Sequence, residues 1–280
     1  MTVMPGAEPF HADGGPHGVV MCHGFTGTPQ SLRPWAEYLA AAGYTVTVPR
    51  LPGHGTRWQD MQATGWTAWY DAVEQAFNQL RIRCEAVFVC GLSMGGALAL
   101  RLAETHPGEV AALVLVNPAI HSYRRDLALL PVLSKLVASR PGISSDINKP
   151  GTTELAYGRT PLRAAHEMTR LWKAVRAELS RVDAPTLVYR SRVDHVVDTR
   201  SSTLIRLGVR HAPVEERVLD NSFHVATLDN DAPTIFMGSL RWMRDHGPSP
   251  RKVPLVLSPD SDGQLASSPG ESVQNTEPAG

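Results

Sequence analysis

The chain has 280 residues, enough for one large domain or two small ones, and its 27 Lys plus Arg balance 27 Asp plus Glu. That balance leaves no basic field for nucleic acid or anionic lipid. Three cysteines, Cys22, Cys84 and Cys90, are an odd count, expected as free thiols in a reducing compartment. The start, Met1 to Gly6, lacks a basic region followed by an apolar stretch, and no run approaches a membrane span, so a cytoplasmic protein without an integral membrane segment is expected.

Apolar strands alternate with amphipathic helices along the chain, which points to one α/β domain over residues 1–246. Such a domain is long enough to bury about three quarters of its unfolded surface. Gly18 to Cys22 reads as a strand, and His23-Gly24-Phe25-Thr26-Gly27 as the loop after it. A helix follows from about Pro29 to Ala42, with Leu32, Trp35, Ala36 and Leu39 on one face and Gly43 as its C-cap. Tyr44 to Val48 is the next strand. Trp66, Trp69, Val73, Phe77 and Leu80 keep helical spacing and are expected as core against the sheet.

The apolar run Ala86 to Cys90 leads into Gly91-Leu92-Ser93-Met94-Gly95, and Ala97 to Leu100 reads as the helix behind it. A G-x-S-x-G pentapeptide between strand and helix resembles the nucleophile elbow of α/β-hydrolases. A tight turn there holds the serine in strained geometry, Gly91 and Gly95 avoid collisions, and the helix aims free N–H groups at the same point. The next strand, Ala111 to Val116, ends at Asn117. Between residues 119 and 180 the rhythm breaks, and an inserted cap is expected. Its apolar stretch Leu127 to Leu133, with Leu136 and Val137, reads equally as a core helix or as a cap wall. A Pro, Gly and Ser loop runs from Pro141 to Thr153, then a helix from Ala164 to Arg181 with Met168, Leu171, Trp172, Val175 and Leu179 on one face.

Ala184 to Arg190 is a strand that leads to Asp194; Val214 to Leu219 is a strand that leads to His224. Both candidates lie in loops past the carboxyl ends of strands, where open parallel sheets place their sites. A serine needs a base, the base needs an orienting acid, and α/β-hydrolases carry them in the order Ser, acid, His. Ser93, Asp194 and His224 fit those roles. Of the rivals, Asp198 looks like a helix N-cap and Asp220 belongs to the turn carrying His224. Some α/β-hydrolases take the acid from the strand after the elbow helix, but Asn117 cannot hold that charge. His106 reads as a surface cap and His195 as a loop contact. The Met94 N–H and the Phe25 N–H are the expected oxyanion donors, with Gly24 and Gly27 letting the backbone turn inward.

His23 to Gly27, Pro49 to Gly55, Gly91 to Gly96, Glu154-Leu155-Ala156-Tyr157, Asp194 to Val197 and His224 to Asp229 together resemble bacterial monoacylglycerol lipases, over roughly residues 7–245. These are a branch of the α/β-hydrolases close to small bacterial carboxylesterases. The resemblance implies a mostly parallel twisted sheet flanked by helices, with a small cap after the strand ending at Asn117. It also implies a Ser–Asp–His serine hydrolase whose small-molecule lipid ester substrate is a glycerol monoester of a fatty acid, cleaved to fatty acid and glycerol, with Ile143 and Glu154 as substrate contacts. No metal or cofactor is called for, since no histidine–carboxylate cluster has ligand spacing. A short-chain carboxylesterase and a non-catalytic small-molecule binder of the same fold are the alternatives. Transient contact of the apolar cap with lipid surfaces stays open. The final helix opens at Pro233. Residues 247–280 turn to Pro, Ser, Gly, Asp and Glu and are expected as a disordered tail that the family does not need.

Overall fold

The structure, a computed structural model, describes residues 2–143 and 145–247. The expectation of a disordered tail therefore falls almost wholly outside the described residues. Seven strands form one sheet in the order β1-β3-β2-β4-β5-β8-β9: β1 (Phe10–Ala12), β2 (His17–Cys22), β3 (Thr45–Val48), β4 (Ala86–Leu92), β5 (Leu113–Val116), β8 (Thr186–Ser191) and β9 (Val214–Leu219). Only β1 runs antiparallel to its neighbour; the rest are parallel. This is the α/β-hydrolase architecture expected from the sequence.

The central strands β4 and β5 are apolar on both faces because both faces are covered, whereas the edge strand β9 carries Glu215, Glu216 and Arg217. Side chains alternate across a strand. Val20 and Cys22 of β2, with Val87 and Val89 of β4, pack with Trp69, Phe77, Leu98 and Leu171. Those four belong to α3 (Trp66–Arg83), α4 (Met94–Thr105) and α6 (Leu162–Glu178). Val19, Met21, Phe88 and Cys90 face the other way, onto Trp35, Leu39, Ile235 and Trp242 of α1 (Arg33–Ala41) and α8 (Ala232–His246). Trp69, Val73, Phe77 and Leu80 are buried, as expected for core, while Trp66 at the start of α3 is only half-buried against them. The three cysteines are free thiols, with Cys22 and Cys90 fully buried.

From β2 the chain crosses first to β3 and then returns to β4 on the other side. The strand order thus switches at β2 and β4, and the loops leaving their carboxyl ends splay apart into a crevice. The cap closes over it between β5 and β8. It contains α5 (Leu130–Leu136), a two-stranded antiparallel ribbon of β6 (Ser139–Pro141) and β7 (Arg159–Pro161), and α6. The apolar stretch whose role was open is no core helix. Leu129, Val132, Leu136 and Val137 are exposed, and in α5 only Leu130 and Ser134 are buried. The loop read from Pro141 to Thr153 lies between the two ribbon strands and touches them only at Pro141; the ribbon itself was not foreseen, because its strands are three residues long and each carries a proline, too short for a period to register.

Candidate active site

Ser93 occupies the turn between β4 and α4 with φ 56° and ψ −118°, a conformation few side chains adopt. Its N–H donates to the Val116 carbonyl at 3.0 Å, and its own carbonyl accepts from Gly96 and Ala119. The glycines around it are needed for space. A Cβ on Gly95 would lie 1.9 Å from the Cys22 carbonyl oxygen, and one on Gly91 would lie 2.3 Å from that of Gly95. The elbow can form only because both positions lack a side chain. Met94 opens α4, so its N–H is among the unpaired first-turn donors. Among the described residues, neither it nor the Phe25 N–H donates to a protein acceptor.

The loop after β2 differs in detail from expectation. Its left-handed residue is Thr26, φ 61°, and neither Gly24 nor Gly27 has a positive φ. Thr26 is held there by its main chain, whose carbonyl accepts from the Tyr157 N–H at 3.1 Å. Gly27 is required for another reason: a Cβ there would meet Glu154 Oε1 at 2.7 Å. His23 is buried, its Nε2 accepts from the Leu51 N–H at 3.2 Å, and burial pushes its pKa down to about 4. It is a neutral strut to the loop at residues 49–55.

His224 Nδ1 donates to Asp194 Oδ2 at 2.8 Å, and both side chains are more than nine-tenths buried. The other Asp194 oxygen accepts from the Val196 and Val197 N–H groups, each at 2.8 Å. Burial works against both charges. For His224 burial is the largest single influence, but the charge and hydrogen bond of Asp194, together with the charges of Glu154 and Asp146, overcome it and raise the pKa above the ordinary histidine value. For Asp194, burial is overcome by the His224 charge and the three hydrogen bonds, and its pKa is lowered. Burial raises Glu154, with His224 pulling the other way.

Ser93, His224, Phe25, Ile143 and Glu154 line one cavity, whose walls include Leu92, Leu127, Ala165, Met168, Trp172, Val196 and Val225. Asp194 stands behind His224. Met94 is buried beneath the turn. Ile143 is 60 % exposed, a lip of the cavity more than a floor. The rivals are elsewhere. Asp198 accepts from the Arg200 N–H at the start of α7 (Arg200–Gly208) but stands one residue before the N-cap, which is Thr199, and Asp220 pairs with Arg192. His195 is a loop contact to Asp146 at 2.7 Å. His106 caps α4, but it is largely covered and bonded to Glu74 at 2.8 Å, so it is not a surface residue.

Asn117, set aside as an acid on sequence, has another role in the site, and Asp146 escaped the sequence reading altogether. Asn117, φ 44°, donates from Nδ2 to the His224 carbonyl at 2.8 Å and to Ser191 Oγ at 2.9 Å, while its Oδ1 accepts from the Ser191 N–H at 2.7 Å. Asp146, in the loop between β6 and β7, reaches the main chain of both Asp194's and His224's loops. Neither lies in a motif. For Asn117 the usable signal was a polar residue closing an apolar strand.

Residues 16–231 match the family described as serine aminopeptidase, S33, Hydrolase_4. The thermostable monoacylglycerol lipase of Bacillus sp. (strain H-257) is 42 % identical over 251 residues, 87 % of this chain and 97 % of that one. A carboxylesterase of Bacillus subtilis (strain 168) is 27 % identical over 242 residues, 84 % of this chain and 98 % of that one. A solved structure from a study of the metagenome-derived lipolytic enzymes LipS and LipT superposes with a TM-score of 0.85 at 42 % identity, covering 88 % of this chain and all of that one. Elbow, sheet order and loop positions define an α/β-hydrolase. The chain belongs to the Hydrolase_4 family of serine hydrolases. It is an enzyme whose kinship is with carboxylic ester hydrolases of the monoacylglycerol lipase type.

Proposed function

We propose that this enzyme cleaves monoacylglycerols to fatty acid and glycerol by a two-step acyl transfer. Ser93 Oγ attacks the ester carbonyl while His224 takes its proton, and Asp194 holds the imidazole tautomer and its charged form. The Phe25 and Met94 N–H groups receive the oxyanion, each such donor being worth on the order of 3 kcal/mol in the transition state. His224 then protonates the leaving glycerol oxygen, and water repeats the cycle to release the acid. The observation that carries this reading is the buried His224–Asp194 hydrogen bond sharing an apolar cavity with strained Ser93. The 42 % identical lipase supports the substrate class. Ile143 at the lip suits the acyl chain, and Glu154 suits the free glycerol hydroxyls, which a simple alkyl ester lacks. The free thiols fit a cytoplasmic setting, and among the described residues no helix is long and apolar enough to cross a membrane.

The carboxylesterase at 27 % identity over nearly its whole length supports a second reading, a short-chain esterase using the same residues. Hydrolysis of monoacylglycerols of graded chain length, set against short aryl esters, separates the two. Long-chain monoacylglycerol should give the higher kcat/KM, and the reverse order would favour the esterase. Ser93→Ala should abolish both activities with the fold intact; normal turnover by that variant would sink the assignment.

A further inference from the structure

Asp146 binds the peptide groups of both loops that carry the acid and the base. Its Oδ2 accepts from the His224 N–H and from the His195 N–H, each at 3.2 Å, and its Oδ1 pairs with His195 Nδ1 at 2.7 Å. The Val225 N–H donates to the Asp146 main-chain oxygen at 3.0 Å. The carboxylate is 10 % exposed, so these bonds face little competition from water. The grip is reciprocal. Asp229, beyond His224, accepts from the Asn148 and Lys149 N–H groups at 2.7 and 2.9 Å.

These contacts fix degrees of freedom that the His224–Asp194 bond leaves open. A histidine's ring can be aimed only if its backbone is held. Below His224, Asn117 takes the carbonyl; above it, Asp146 takes the N–H. His195 is the peptide neighbour of Asp194, so the same carboxylate holds the acid's main chain as well. Placement errors of about 1 Å at a reacting group cost on the order of 100-fold in rate.

We propose that Asp146 is a positioning residue that keeps the His224–Asp194 pair aligned on Ser93. It acts through the backbone of the pair and touches no substrate in this scheme, which rests on the acyl-transfer reading above. The charged and titratable groups facing His224 are Asp194, Glu154 and Asp146, with His195 on the far side of Asp146. Removing the Asp146 charge therefore also removes one of the influences that raise the His224 pKa.

Asp146→Asn keeps the size of the side chain and one acceptor oxygen, so it should fold even where Asp146→Ala does not. Its kcat should fall roughly 10- to 100-fold with KM within about twofold of the wild type. The acidic limb of its pH–rate profile should move to lower pH. The far-downfield proton resonance of His224 Nδ1–H, held against Asp194, should broaden or vanish. Wild-type kcat per folded molecule, or an unchanged resonance and pH limb beside a mere loss of thermal stability, would overturn the proposal. The resonance is read without turnover. Failure of the acyl-transfer reading, seen as an inactive wild type or an active Ser93→Ala, is thus distinguishable from failure of this one.

Discussion

Gly27 and Glu154 compete for one volume: a Cβ on the glycine would stand 2.7 Å from Glu154 Oε1. Because the atom in the way is the end of a flexible side chain, Gly27→Ala should move the carboxylate and leave the fold standing. The expected result is a loss in kcat/KM for monoacylglycerol of roughly 10-fold, with little loss for a matching methyl ester. Glu154→Ala should reproduce that selectivity, and the double variant should lose no more than Glu154→Ala alone. Additive losses would show that Gly27 acts on something other than Glu154.

Asn117 stands where some α/β-hydrolases carry their acid, and Asn117→Asp would put a second carboxylate there. The geometry argues against its serving as the acid. The Nδ2 donor would become an acceptor facing the His224 carbonyl and Ser191 Oγ, turning a buried bond into a repulsion. Stability should fall by about 1–3 kcal/mol or more, as for an unsatisfied buried polar group. Asp194→Ala activity should not be rescued by adding Asn117→Asp. Denaturant unfolding and ester turnover of the pair check both statements.

His224 must be neutral to take the Ser93 proton, and its pKa is raised by Asp194 against the effect of burial. The acidic limb of kcat/KM should therefore lie above the ordinary histidine value of about 6.5. Stability has the opposite sign. A raised folded pKa contributes stability that is fully present below the unfolded value and is lost as pH rises through the folded value. Over that window activity should climb while the His224 contribution to stability declines. A pH–rate profile beside unfolding curves of wild type and His224→Gln tests the pairing.

Glu104, in α4, is fully buried, and burial pushes its pKa up to about 8 despite Arg101 at 3.0 Å. The folded chain keeps this proton where the unfolded chain has lost it. Stability from this group should fall as pH rises from the ordinary glutamate value to about 8, and then level off. Glu104→Gln should remove that slope, matching wild type near pH 4 and exceeding it increasingly towards pH 8. Equal stability of the two proteins at pH 8 would contradict this account.

The parts of the fold legible beforehand were those whose cause is local. Strands β4 and β5, buried on both faces, are apolar at every position, α3 spaces its aromatics for one side, and the elbow's glycines sit at fixed offsets from Ser93. His224 and Asp194 could be chosen because chain order and strand ends restrict the choice. Asp146, Asn117 and the twist at Thr26 were not legible, since their partners lie 49 to more than 100 residues away in sequence. The ribbon of β6 and β7 has no period to reveal it, and its pairing exists only once the cap has folded back on itself.

The backbone at Ser93 has a bearing on how such a chain could change. Its φ of 56° is unfavourable for serine and alanine alike, and only glycine adopts it freely. Alanine at this position silences the chemistry without relieving the turn. Glycine silences it and relaxes the turn by about 1–3 kcal/mol, less the extra freedom glycine brings to the unfolded chain. A lineage released from catalysis would thus drift toward glycine at position 93 through stability alone, and a serine retained there is itself a mark of continuing use.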